Sequence, residues 1–91
     1  MGYEWDEQKR QINLNKHGVD FSDVPEIFDG DVVIIPDERF DYGENRFVVI
    51  GVIKSQILVV AYTERGEHIR IISARKATKN EQINYFQQIS H

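Results

Sequence analysis

The chain has 91 residues, 11 basic and 15 acidic side chains, and no cysteine. That length fits one domain, residues 1–91, and the missing thiols exclude disulfides, thiolate catalysis and thiolate zinc sites. Without an apolar run near the roughly 20 residues of a membrane span, and with a polar start (MGYEWDEQKR) unlike a secretory signal, a soluble cytoplasmic protein is expected.

In chain order, Asp6 is placed to N-cap a helix that runs to Lys16 or His17 and stops at Gly18. Its apolar content is thin (Ile12, Leu14), so it docks by a narrow stripe plus Trp5. Phe21 and Ser22 open a short second helix, with Val24, Ile27 and Phe28 on one face and Pro25 tolerated in the first turn. Val32–Ile35 is a β-branched run stopped by Pro36, an edge strand. The charged segment Asp37–Asn45 is a loop. Three strand signals follow, Arg46–Ile53, Ile57–Thr63 and His68–Ser73, joined by connections short enough for antiparallel hairpins. Thr78 with Glu81 forms a capping box that opens a last helix, lined by Ile83, Phe86 and Ile89. The expected class is α+β: a small antiparallel sheet of about four strands, two N-terminal helices and one C-terminal helix.

Turns at Ser55-Gln56 and Arg65-Gly66 would pair Val49 with Tyr62, and Thr63 with His68. One sheet face then carries Phe47, Val49, Ile53, Leu58, Val60, Tyr62, Ile69 and Ile71, apolar enough to lie under helices. The other is apolar at Ile50, Val52 and Ile72, and polar at Arg46, Thr63, His68 and Arg70. Its apolar half suits a helix or a partner protein, and its polar half an anion.

Charge is divided along the chain. Residues 1–45 hold four basic and twelve acidic side chains, net −8, and residues 46–91 are net +4. An acidic protein is a poor general binder of nucleic acid, but a basic face on the second half remains available.

The sequence lacks a phosphate-cradling glycine loop, a hydrolase triad spacing and a paired-histidine metal motif, so neither metal nor cofactor is expected. His17, His68 and His91 lie far apart in sequence. The remaining Arg, His, Lys and Glu side chains suit metal-free phosphodiester chemistry. An RNA 2′-hydroxyl attacks its neighbouring phosphate once a base takes its proton, cations hold the developing charge, and an acid protonates the leaving oxygen.

The segments WDEQKRQINLNKHGVDF, DERFDYGENRFVVIG and VVAYTERGEHIRIISARKAT resemble the BrnT family of bacterial type II toxins, from Trp5 to about Glu81. The resemblance implies a RelE-like ribonuclease fold and an mRNA-cleaving activity that stops translation. It also implies a BrnA-type ribbon-helix-helix antitoxin, with operator DNA reached only through the toxin–antitoxin complex. The RNA substrate is either free or ribosome-associated.

The catalytic candidates are Arg70, Glu64, Arg75, His17 and His68; the RNA-binding candidates are Arg46, Lys9, Lys16 and Trp5. Arg70 interrupts an apolar strand, so it needs a buried acid or a ligand, and the resemblance favours phosphate. Arg75 either binds phosphate or pairs with an acid. Glu64 is a general base or a turn residue, and its parity puts it across the sheet from Arg70. His17 caps a helix dipole or transfers a proton, and His68 is a second proton carrier. Trp5 either stacks on a base or anchors the core, the commoner role. Tyr62 is core-facing, and Asn13 bonds to a nearby loop. Two alternatives remain: a toxin of this fold acting on gyrase, and a binding module without catalysis.

Overall fold

The computed structural model describes residues 2–90. A short strand β1 (Gly2–Glu4) precedes helix α1 (Glu7–His17) and a 3-10 helix (Phe21–Asp29). Strands β2 (Val33–Pro36), β3 (Arg46–Ile53), β4 (Gln56–Arg65) and β5 (His68–Lys76) follow, then helix α2 (Lys79–Ile89). The strands form one sheet in the order β1-β5-β4-β3-β2. The class is α+β as expected, but the strand count of about four is corrected to five. The sheet is also not wholly antiparallel, because β1 runs parallel to β5. Three residues are too few to show an alternating pattern, so β1 has no sequence signal of its own.

Local chemistry sets the helix ends. The Asp6 carboxylate accepts from the Gln8 and Lys9 backbone N–H groups at 2.9 and 3.1 Å, and Gly18 closes α1 with φ 71°. The second helix is 3-10, not α. Its buried residues Phe21, Val24 and Ile27 recur every third position, which at three residues per turn places them on one line facing the sheet. Thr78 and Glu81 form the expected capping box of α2.

Both hairpin turns differ from expectation. Lys54 and Ser55 take positive φ (51° and 66°) and form the β3–β4 turn, so Val49 pairs with Val60. Gly66 and Glu67 turn β4 into β5, pairing Arg65 with His68 and Thr63 with Arg70. Each register is displaced by two residues, an even number, so every side chain before the bulge keeps its expected face. At the bulge, Tyr62 pairs with Ile71 but Ala61 pairs with Ser73, leaving Ile72 as the extra residue.

The first face holds the main core: Val49, Val60, Tyr62, Ile71 and Ala74 beneath Phe21, Val24 and Ile27. The bulge brings Ala74 into that core by resetting the parity of β5. On the second face Ile50 and Val59 pack with Ala77 and Tyr85, so α2 covers part of the apolar half, while Val52 stays 44% exposed. Among the described residues no helix is long and apolar enough to cross a membrane.

Candidate functional site

The end of the second face that α2 leaves uncovered is basic. Arg46 of β3, Thr63 of β4, Arg70 of β5 and Glu4 of β1 are successive cross-strand partners. With strands about 4.8 Å apart, the Cα atoms of Arg46 and Arg70 lie about 10 Å apart, near enough for both side chains to reach one anion above Thr63. Arg65 and His68 form the adjacent row, nearer the hairpin end. His68 is exposed, and its ring lies over Gly2, where a Cβ would come within 3.0 Å of Cδ2. Side-chain alternation puts these residues on the face opposite Phe21 and Ile27.

The Arg70 side chain is 29% exposed, and the Glu4 carboxylate lies 3.9 Å from its Nη1. That separation supplies charge compensation but exceeds hydrogen-bonding distance, so the guanidinium donors stay available. Arg46 is held more firmly. Its Nε lies 3.0 Å from Glu44 Oε2, and its guanidinium sits 4.0 Å from the Tyr42 ring centroid. The Tyr42 hydroxyl donates to Asp37 at 3.1 Å. Arg39 beside Asp37 is the main cause holding that carboxyl down at about 2, below the usual carboxylate range. Thr63 is buried and donates its hydroxyl to the Asn45 carbonyl, forming the floor between the two arginines.

A second cluster lies where α1 crosses the bulged part of β5. Lys9, Ile12, Lys16 and His17 face Ile72 and Ser73 across a groove of about 210 Å³. Asn13 fixes this contact. Its amide donates to the carbonyls of Ala74 (2.8 Å) and Val19 (3.0 Å), and its Oδ1 accepts from the Ala74 N–H at 3.1 Å. The side chain takes the place of a neighbouring strand along β5 beyond the reach of β1, which is why a buried Asn is stable there.

The structure thus brings Arg46, His68 and Arg70 onto one face, and Lys9, Lys16 and His17 to a groove beside β5. It separates the other candidates from them. Glu64 pairs with Ile69, on the face opposite Arg70, and is exposed. Arg75 makes a two-pronged pair with Glu81, at 2.7 and 3.0 Å, tying the end of β5 to α2. That pairing also holds the Glu81 carboxyl down at about 2, with Arg75 as the leading cause. Trp5 packs edge-on against Phe21 at 6.5 Å, as a core anchor does, and its indole N–H donates to Glu7 at 3.2 Å. Tyr62 is buried between Phe28 and Phe47, and burial raises its hydroxyl pKa. His91 lies outside the described residues.

Thr63 was already on the polar half of this face in the sequence, and the corrected hairpin register makes it the partner of Arg70. Glu4, Arg65 and Tyr42 also belong to these surroundings and were missed in the sequence; Arg65 follows from the correct register. Glu4 and Tyr42 are brought in by β1 pairing and by the 37–45 loop, and had no local signal.

Two partly exposed guanidinium groups and an exposed imidazole on one face offer donors of the type that suit an anion's oxygens. Comparison with curated proteins finds no match. A family model described as the ribonuclease toxin, BrnT, of type II toxin–antitoxin systems matches residues 5–81, which contains both the basic face and the α1 groove. The chain belongs to the BrnT family of ribonuclease toxins of type II toxin–antitoxin systems.

Proposed function

We propose that this chain is a cytoplasmic, RelE-like endoribonuclease that cleaves mRNA, stops translation and needs no metal. The observation that carries the reading is the Arg46–Thr63–Arg70 row with His68 beside it, on the face away from the main core, where two partly exposed arginines and an exposed histidine surround the buried Thr63. Arg70 and Arg46 bind the scissile phosphate through paired N–H donors. A proton acceptor takes the proton of the RNA 2′-hydroxyl. The 2′-oxygen bonds to phosphorus, the P–O5′ bond breaks, and a proton passes to the departing 5′-oxygen. The products carry a 2′,3′-cyclic phosphate and a 5′-hydroxyl. Arg70 stabilises the extra charge of the pentavalent transition state, and His68, two residues along β5, is the imidazole on that face that carries a proton. Lys9, Lys16 and His17 hold the strand further along. Arg75, Glu64 and Trp5 have lesser roles here, because each is engaged elsewhere or faces away. The antitoxin is of the ribbon-helix-helix BrnA type, and the complex represses its own operon.

The test induces the chain alone and maps RNA ends, then repeats cleavage with purified protein in a chelator. Cyclic-phosphate ends and an Arg70→Ala loss of about 100-fold or more, at unchanged fold, are expected. Equal cleavage by Arg70→Ala would remove the site assignment. Intact RNA with stalled supercoiling would move the target to gyrase, and harmless expression would leave a binding module.

A further inference from the structure

The opposite edge of the sheet, β2, is unpartnered among the described residues. The Asp37 N–H donates to the Arg46 carbonyl at 2.8 Å, which fixes the phase of the β2–β3 ladder. In that phase Val33 and Ile35 bond to β3, and the main-chain N–H and C=O of Ile34 point outward. Pro36 lies on the same outward side, where its missing N–H ends the free edge. The side chains of Ile34 and Ile35 are 48% and 47% exposed, on opposite faces. Ile35, with Val33, Ile50 and Tyr85, lines a groove of about 250 Å³ between β2 and α2. An apolar edge of this kind is normally covered or charged.

Charge identifies the occupant. The segment around this edge, residues 29–44, holds six carboxylates and one arginine. A second copy would set two such segments against each other, and RNA would meet the same repulsion. We propose that β2 is the docking edge for the antitoxin, which adds an extended segment of alternating apolar and basic side chains. Its main chain pairs with Ile34, its apolar side chains enter the groove beside α2, and its basic ones meet Asp31, Glu38 and Asp41. Beyond Pro36 the added segment reaches the 37–45 loop, whose Tyr42 and Glu44 hold Arg46. The proposal rests on the toxin–antitoxin reading and names where the partner binds.

The test uses the full chain and its cognate antitoxin. Ile34→Pro deletes the outward N–H while leaving the β3 ladder intact. It is expected to weaken binding about 30-fold or more, with melting within a few degrees of the parent and toxicity without antitoxin unchanged. In the parent complex the Ile34 amide should exchange hydrogen about 100-fold more slowly than in the free chain. A paired charge reversal, Glu38→Lys with Asp41→Lys, should weaken binding and flatten its salt dependence. Parent-like binding by Ile34→Pro, or an Ile34 amide still exchanging freely in the complex, would overturn the docking edge. Unchanged binding by the charge-reversed chain would overturn the basic partner. Failure of the ribonuclease reading looks different: antitoxin bound through β2, but RNA left intact.

Discussion

Asn13 shows how much a single side chain decides here. It is 7% exposed in a helix whose other residues face outward or lie half-buried, and its three hydrogen bonds satisfy Val19 and both main-chain groups of Ala74. Asn13→Ala would leave those groups buried and unpaired, so a loss of about 2–3 kcal/mol is expected. In a domain of this size that lowers the thermal midpoint by about 10–20 °C, measurable by circular dichroism. Asn13→Asp should be similarly harmful at neutral pH, because a carboxylate would face two carbonyl oxygens. The sequence placed Asn13 on the helix and bonded it to a nearby loop, as its bond to Val19 shows, but its other two bonds reach Ala74, 61 residues away on β5. Arg70 is the contrasting case: a charge inside an apolar strand was visible as an anomaly, and its face followed from parity. Glu4, which sets how loosely Arg70 is held, was invisible, since its placement depends on β1 finding the edge of β5.

Among the elements, those with strong local chemistry were legible: the Asp6 cap and Gly18 stop of α1, β3 to the residue, and the Thr78–Glu81 box. The last also carries a pH dependence. Glu81 has a folded pKa of about 2, held down first by Arg75, against about 4.3 for an ordinary glutamate. A depressed carboxylate stabilises the fold above its unfolded pKa, and that contribution disappears as pH falls from about 4.3 through 2. The side chain is 29% exposed, so the contribution is about 1 kcal/mol. Glu81→Gln should therefore be less stable than the parent at pH 7, with the difference vanishing near pH 2, as read by chemical denaturation. Asp37, also near 2 and facing Arg39, loses its contribution over the same range. Packing between elements allows a separate check. Gly51 lies where the 3-10 helix presses on β3, and a Cβ there would sit 2.7 Å from Ile27 Cγ1. Gly51→Ala should cost about 1–3 kcal/mol, because the clash is with a core side chain. The turns were placed less well than the strands. Two-residue hairpins are set by which residues accept positive φ, and Lys54-Ser55 is not a composition that advertises it.

For the molecule as a whole, the divided charge becomes a divided surface. Arg46, Arg65 and Arg70 gather at one end of the sheet and Arg75 and Lys76 lie at the other end of β5, while the acidic segment flanks the edge at β2 and pairs with Arg46 through the Glu44 carboxylate. RNA binding should be steeply salt-dependent despite the net charge of −4. With Arg46, Arg70, Lys9 and Lys16 each meeting about one phosphate, log K should fall with log salt at a slope of about −2 to −3, and Arg70→Ala should reduce that slope by about 0.7. Filter binding across a salt series measures both. A slope near zero would mean that the basic face does not hold the RNA backbone.

Taken alone, the sequence determined the class, most element boundaries, the two sheet faces, and the family, because caps, β-branched runs and side-chain parity are local or periodic signals. Only the tertiary structure decided that a fifth strand exists, that the bulge at Ile72 turns Ala74 inward, that Arg75 is tied to Glu81, and that Arg46 and Arg70 flank Thr63. Each of these depends on which distant segments meet, and no window of neighbouring residues contains that information.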